Sequence, residues 1–182
     1  MIDFTFKGDF LKKILLLFII TISIVFADTI ADIHSIKTDF TQNITNEENQ
    51  TISYSGKFYA TSEGKALWIY NKPIKKLLYF LNGKVVIIEP ELEQVIFSKL
   101  QKFPKILNIL KSAKKENGVY IASCCDNRYK IFAQGEKISK ITYKDKVGNS
   151  VVIKFNNQET NLILDDKIFH YTIPEGYDIL KN

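Results

Sequence analysis

Residues 56–73, GKFYATSEGKALWIYNKP, read as a strand, a tight polar turn and a second strand, and it is the second strand that narrows the choice of fold. In the first arm Ile52, Tyr54, Phe58 and Ala60 take the even positions, with Thr51, Ser53, Ser55, Lys57 and Thr61 between them. Strand side chains alternate faces, so this arm has one apolar and one polar face. Ser62, Glu63 and Gly64 interrupt the pattern as a turn would, after which Ala66, the single tryptophan Trp68, and Tyr70 alternate with Leu67 and Ile69. The second arm is therefore apolar on both sides. In an antiparallel sheet such a strand needs cover on both faces, and a cavity for an apolar ligand is one way to supply it.

Upstream, Lys7, Lys12 and Lys13 precede an uncharged apolar run from Ile14 to Phe26 that ends in Ala27 before Asp28. A basic region, a short apolar core and a small residue at the cut make a secretory signal peptide over residues 1–27, with export across a membrane as its consequence. The competing reading, a membrane anchor, needs about 20 apolar residues, more than this run supplies. No cysteine follows Ala27 to carry a lipid, so residues 28–182 are expected as one soluble domain.

The formal charge of +5 is mild, and Arg128 is the sole arginine among 25 basic residues. The lysines are scattered between apolar positions as on the solvated face of a sheet. Nucleic-acid binding needs clustered basic residues interleaved with aromatics, and is not expected.

Ile30, Ile33, Ile36 or Lys37, and Phe40 recur every three to four residues, with Asp28 or Thr29 as a cap, so the spacing predicts a short amphipathic helix giving way to strand near Lys37. The period is two from Thr38 to Ile44. Strands follow at Leu77 to Leu81 and Val85 to Ile88, joined by Asn82-Gly83, the strongest short hairpin signal. Beyond Pro90 to Gln94, Val95 to Leu100 continues the series, and Pro104 opens a second helical window whose apolar face is Ile106, Leu107, Ile109, Leu110 and Ala113. Further strands are predicted at Val119 to Cys125, Tyr129 to Ala133, Ile138 to Lys144, Val151 to Phe155 and Lys167 to Ile173, with Asp126-Asn127, Gly135 and Gly148-Asn149 as turns. About ten strands at hairpin spacing with two helices describe a large antiparallel sheet curled toward a barrel, roomy enough for an interior cavity that the helices plug.

Phe40-Thr41-Gln42 after an N-terminal helix, Trp68 and Tyr70 before Pro73, Asn82-Gly83, Pro90 to Gln94, and the series Phe169, Tyr171, Ile173-Pro174, Gly176 together resemble the periplasmic outer-membrane lipoprotein carrier (LolA) family across nearly all of residues 28–182. The resemblance implies a mainly β chain with two or three short helices, forming an incomplete, unclosed antiparallel β-barrel with a helical lid over a hydrophobic cavity. It implies a non-enzymatic periplasmic carrier of acylated lipoproteins, loaded by an inner-membrane ABC transporter and unloaded at an outer-membrane receptor or the outer membrane itself, acting as a monomer without cofactor or metal. Burying one CH₂ is worth about 0.8 kcal/mol, so a chain of about sixteen carbons loses on the order of 10 kcal/mol on entering water and cannot cross a periplasm unshielded. Same-face grouping makes Phe40, Ile52, Tyr54, Phe58, Trp68, Tyr70, Leu78 and Phe80 the inward strand candidates, with Ile33, Ile106, Leu107 and Leu110 from helices. A register slip of one residue would exchange the faces and leave these side chains filling a dry core instead. Better-known members carry an Arg-Pro pair near the first hairpin turn, tied to lid closure and release; Ser62-Glu63 stands here, so a latch must use other residues.

Other chemistry is thinly represented. His34 and His170 are far apart and in no metal-ligand spacing. Gly64-Lys65 and Gly83-Lys84 lack the following Ser or Thr of a phosphate loop, so loading energy must come from a partner. Glu89, Glu91 and Glu93 read as a solvated or docking turn rather than paired catalytic carboxylates. Cys124-Cys125 lacks the CxxC spacing of thiol oxidoreductases and is expected to give one packed and one half-exposed thiol, a strained adjacent disulfide being the alternative. Two further functions stay open: a periplasmic binder of another amphiphile such as a glycolipid or fatty acid, and a thiol redox protein using Cys124 and Cys125, with His34 as a further reactive group.

Overall fold

The computed structural model describes residues 29–99 and 105–181, so the expected signal peptide with its cut after Ala27, and the expected roles of Leu100 and Pro104, lie outside the described residues. The strands are β1 (Ser35–Thr45), β2 (Thr51–Thr61), β3 (Lys65–Lys72), β4 (Lys76–Leu81), β5 (Lys84–Glu89) and β6 (Gln94–Lys99). After the helix α1 (Ile106–Ser112) come β7 (Lys114–Glu116), β8 (Val119–Cys124), β9 (Asn127–Gln134), β10 (Lys137–Lys144), β11 (Ser150–Thr160) and β12 (Asp178–Lys181).

All twelve belong to one sheet in the order β12-β6-β5-β4-β3-β2-β1-β11-β10-β9-β8-β7. The end strands β12 and β7 do not pair, so the sheet is mainly antiparallel, curled and unclosed, as expected. Two pairings join distant parts of the chain among the described residues: β6 with β12, in parallel, and β1 with β11, where Phe40 sits opposite Phe155 and Gln42 opposite Ile153. That ladder slips between Lys37 and Asp39, and Asn157 on the partner strand has φ 51°, a bulge of the kind that sharpens twist and curls a sheet.

The β2–β3 hairpin forms as read, with Phe58 opposite Trp68 and Ala60 opposite Ala66. Its close approach needs a residue without a side chain: a Cβ on Gly56 would lie 1.8 Å from the Ile69 carbonyl oxygen and 3.1 Å from the Phe40 ring. The Asn82-Gly83 turn also forms, with φ 47° and 88°, the pair of positive angles that a two-residue hairpin turn requires.

The two faces of β3 receive the double cover that its sequence demands. On the concave side Ala66 joins Phe40, Phe58, Phe80, Ile131, Ile141, Ile153 and the apolar residues of α1 in the main core, with Trp68 and Tyr70 packed against it. On the convex side Leu67 joins Tyr79, Val86, Ile88, Val95 and Phe169 in a second core.

Three expectations are corrected. The N-terminal helix over Ile30 to Lys37 is only a 3-10 turn, Ile30–Asp32, capped by Thr29 whose side chain accepts from Ala31 N. Ile30, Ile33 and Ile36 are all buried, but β1 already begins at Ser35, because pairing to both β2 and β11 outweighs a three-residue apolar spacing. The strand expected over Lys167 to Ile173 is absent: Asp166–Phe169 is a 3-10 turn, and the chain then lies across the convex face with Phe169, Tyr171 and Ile173 against the second core. Period-two alternation serves an extended segment laid face-down on a sheet as well as one paired at its edge. The third correction is the β8–β9 turn, which is Cys125-Asp126 with φ 55° and 71° rather than Asp126-Asn127.

At the rim of β5, Glu89 is buried and held by Lys76 Nζ at 2.6 Å and by the Gln94 amide; the Lys76 hydrogen bond, followed by that of Gln94, keeps its carboxyl below the ordinary value despite burial.

Phe169→Ala removes the most deeply buried ring of the convex core and is expected to cost about 3–5 kcal/mol, while Gly56→Ala forces β2 and β3 apart and should cost more than about 2 kcal/mol. Urea unfolding should show both as lower midpoints with an unchanged slope.

Candidate functional site

Trp68 and Tyr70 stand on the concave face because β3 alternates, and they are only half buried because nothing fills the space above them. That space is a cavity of about 170 Å³ roofed by Ile106 and Ile109 of α1. Six of the expected residues line it: Phe58, Trp68, Tyr70, Leu78, Phe80 and Ile106. Phe40 lies one layer deeper, fully buried, with its ring edge-on to Trp68 at 4.8 Å and to Tyr70 at 5.1 Å. Such edge contacts fix ring orientation beyond what burial alone does, so the aromatic floor is preset.

The other expected residues fall elsewhere. Tyr54 lines an adjoining space of about 210 Å³ with Ile44, Ile74 and Lys76, its ring edge-on to Tyr70 at 5.7 Å. Ile52 is on the same sheet face but 54% exposed, because β2 reaches it beyond the end of β3, whose pairing with β2 stops at Ser55. Leu107 and Leu110 are buried in the core cluster that holds Ile30 and Ile33, and Ile109 takes the cavity-facing place beside Ile106. The expectation that Leu107 and Leu110 line the cavity is thus corrected by helix phase: residues three apart share a face, and the pair 106/109 faces the sheet hollow while 107/110 anchors the helix.

Sequence reasoning missed Gln42, Ala66, Tyr129, Ile141, Tyr143 and Ile153, which complete the lining. Alternation in β9, β10 and β11 marks their faces, but only the β1–β11 pairing brings that half of the chain round to meet β3 and β4. Burial raises the Tyr143 hydroxyl to about 12, and raises Tyr70 still further from its ordinary value for the same reason. The cavity wall is therefore neutral at physiological pH.

Outside the cavity, an open cleft of about 810 Å³ runs between the β4–β5 turn, α1 and the β8–β9 turn, sharing Phe80 and Ile109 with the inner space. Cys124 and Cys125 lie on it as free thiols, both partly buried, with sulfurs 2.7 Å apart. Burial, and next the contact with Cys125, push the Cys124 thiol up to about 11. A thiol reagent needs the opposite shift, which weighs against the redox reading. Among the described residues no three His, Cys, Asp or Glu side chains gather where they could hold a metal ion. His34 and His170 are exposed, and Glu89, Glu91 and Glu93 do not converge, Glu89 being tied to Lys76 and Glu91 accepting from Lys75 N at 3.3 Å.

The sequence matches the family model described as outer membrane lipoprotein carrier protein LolA over residues 31–117. It is 38% identical over 172 residues to the outer-membrane lipoprotein carrier protein of Campylobacter jejuni, an alignment covering 94% of this chain and 100% of the relative. The chain belongs to the outer-membrane lipoprotein carrier family. Its likeness to the carrier protein of Wolinella succinogenes is 37% over 147 residues, 79% of this chain and 84% of the relative. Among solved structures, a LolA-superfamily protein from Nitrosomonas europaea shares the fold with a TM-score of 0.54 at 10% identity, over 77% of this chain and 91% of the other.

Where other carriers are expected to place an Arg-Pro pair, this family member has Ser62-Glu63, and the side chain against that turn comes from the helix side instead: Lys105 Nζ lies 2.7 Å from where a Cβ of Gly64 would be. Lys105 is the residue before α1, so a basic side chain lies beside the turn from the helix side.

The buried tyrosines carry a pH signature. A group whose folded value is raised stabilises the fold fully below its unfolded value and loses that contribution as pH rises through the folded value. Stability should therefore fall between pH 10 and about 12 as Tyr143 is forced to ionise. In thermal melts across that range, Tyr143→Phe is expected to show a shallower alkaline decline than the parent.

Proposed function

We propose that this chain is a periplasmic carrier that takes lipoproteins by their acyl chains from an inner-membrane ABC transporter and delivers them to an outer-membrane receptor or to the outer membrane directly. Its leader over residues 1–27 is removed after Ala27 in this reading, leaving one soluble carrier domain. The observation that carries the proposal is the aromatic cavity under α1: an apolar hollow on an open sheet, roofed by a single seven-residue helix. The family relatives named above are outer-membrane lipoprotein carrier proteins, which supports the same cargo.

Energetics explain the design. Each buried CH₂ contributes about 0.8 kcal/mol, so a long chain is held strongly by area alone, and a carrier must avoid adding many polar anchors if it is to let go. A volume of about 170 Å³ suits a ligand of benzene size and falls short of ordinary ligand pockets of roughly 300–1,000 Å³. Loading accordingly requires α1 to lift, which joins the inner cavity to the outer cleft they already border together. The helix is seven residues long and its N-cap Lys105 makes no side-chain capping bond, so what lifting must give up is the packing of Leu107, Ile109 and Leu110.

The test is release of lipoproteins from spheroplasts bearing radiolabelled lipoproteins into a soluble complex with residues 28–182. The parent protein should release them, and Trp68→Glu and Ile106→Glu, each burying a carboxylate in the apolar wall, should release less than about a tenth as much while keeping a normal far-UV spectrum. Cys124→Ser combined with Cys125→Ser should retain full release. If nothing is released while free fatty acids or glycolipids bind, the cavity serves another amphiphile; if only the double serine variant fails while folded, the function is redox.

A further inference from the structure

Gln42 is a polar residue placed where an apolar binder has little use for one. It lies on the concave face of β1, is 8% exposed, and borders both the cavity under α1 and the adjoining space lined by Tyr54. Tyr70 and Leu78 are the other two side chains shared by these spaces, so the three mark their junction.

The amide is oriented. Tyr70 Oη donates to Gln42 Oε1 at 2.9 Å, and the Tyr70 ring is itself held by Phe40 and Tyr54. With its carbonyl engaged, the Gln42 side chain has two N–H donors left, and neither has a partner among the described residues. A fully sealed side-chain polar atom without a partner occurs among the described residues only at Thr61 Oγ1. The Gln42 amide nitrogen is therefore open to cavity space instead of being walled in by packed side chains. These donors can therefore meet a ligand in the hollow without first breaking a bond within the protein, and the Tyr70 hydroxyl fixes the orientation of the amide that carries them.

Resting on the carrier reading, we propose that Gln42 donates a hydrogen bond to the carbonyl oxygen where an acyl chain is joined to its head, as an ester or an amide. An acylated lipoprotein offers this group at the top of each chain, and a hydrocarbon tail offers nothing else polar. A donor at the junction of two apolar spaces fixes how deep the chains enter, with methylenes on either side and the carbonyl at Gln42. Tyr70 is the positioning residue, holding the amide with its N–H groups toward the ligand.

The experiment compares two fluorescent lipopeptides with identical tails, one carrying two palmitoyl esters on a glyceryl-cysteine and the other the matching ethers, which lack the carbonyl oxygens. A net hydrogen bond predicts that the protein binds the ester probe roughly five- to tenfold more tightly. Gln42→Met, similar in volume and without the donor, should bring the ester probe to the affinity of the ether probe, and Tyr70→Phe should reduce the ratio without a charge or volume change in the ring. An N-palmitoyl peptide set against its thioamide counterpart, equally neutral but with a weaker sulfur acceptor, extends the comparison to amides, and a clear preference for the oxygen amide assigns Gln42 to carbonyls of both kinds. Equal ester and ether affinities in the parent protein overturn the role of Gln42 and leave the carrier reading intact. Failure of both probes to bind removes the carrier reading itself. Should Gln42→Met not fold, the infrared band of a carbon-13-labelled ester carbonyl bound to the parent protein decides the matter: a lowered stretch supports the bond, and an unshifted one contradicts it.

Discussion

Burial of β3 on both faces is the constraint from which the rest of the structure follows. Trp68 and Tyr70 on one side and Leu67 and Ile69 on the other cannot all be hidden by a single layer packed on one face. The chain solves this asymmetrically. The convex side is closed by a segment with little regular structure, whose Phe169 ring is almost completely buried against Leu67 and Tyr79. On the concave side a curled sheet and one short helix cover β3 incompletely, and the incompleteness is the cavity. The C-terminal segment thus has a structural task, and α1 roofs the hollow.

That division explains where the aromatic residues sit. Phe40, Phe58, Trp68 and Tyr70 form a connected set of rings, centroids 4.2–6.3 Å apart, that is rigid from beneath. The roof, by contrast, is aliphatic: Ile106 and Ile109 cover the hollow while Leu107 and Leu110 hold on to the N-terminal turn region. A preset aromatic floor and an adaptable aliphatic roof suit the proposed site, which would be filled by acyl chains and emptied again. Strong anchoring would defeat delivery, and the wall has few polar side chains, the neutral Tyr70, Tyr129 and Tyr143 and the amide of Gln42.

Much of this was legible in the sequence wherever the signal was local. Period-two alternation located β2 to β5 and the inner face bearing Phe58, Trp68, Leu78 and Phe80, and Asn82-Gly83 announced its own turn. The failures are equally local in origin. Three isoleucines at spacing three look helical whether they fill a helix stripe or a short turn followed by a strand, as Ile30, Ile33 and Ile36 do. Alternation in 167–173 does not say whether the segment joins a ladder or lies on one, and only the convex core made of distant residues decides it. The wide apolar stripe of α1 left its phase undetermined in the sequence, so Leu107 was expected where Ile109 meets the cavity. Tyr129, Ile141, Tyr143 and Ile153 were recognisable as strand residues but not as cavity wall, because their place depends on β1 pairing with β11 across more than a hundred residues.

The central claim, that acyl chains occupy the concave hollow under α1, is tested most directly by a lipoprotein whose chains carry a photoactivatable diazirine, crosslinked in complex with the protein and mapped by mass spectrometry. The account predicts labels on the peptides holding Trp68, Leu78 and Ile106 to Ile109, which surround the cavity. Labels concentrated instead on the convex side, at Phe169, Tyr171 or Tyr79, would contradict it.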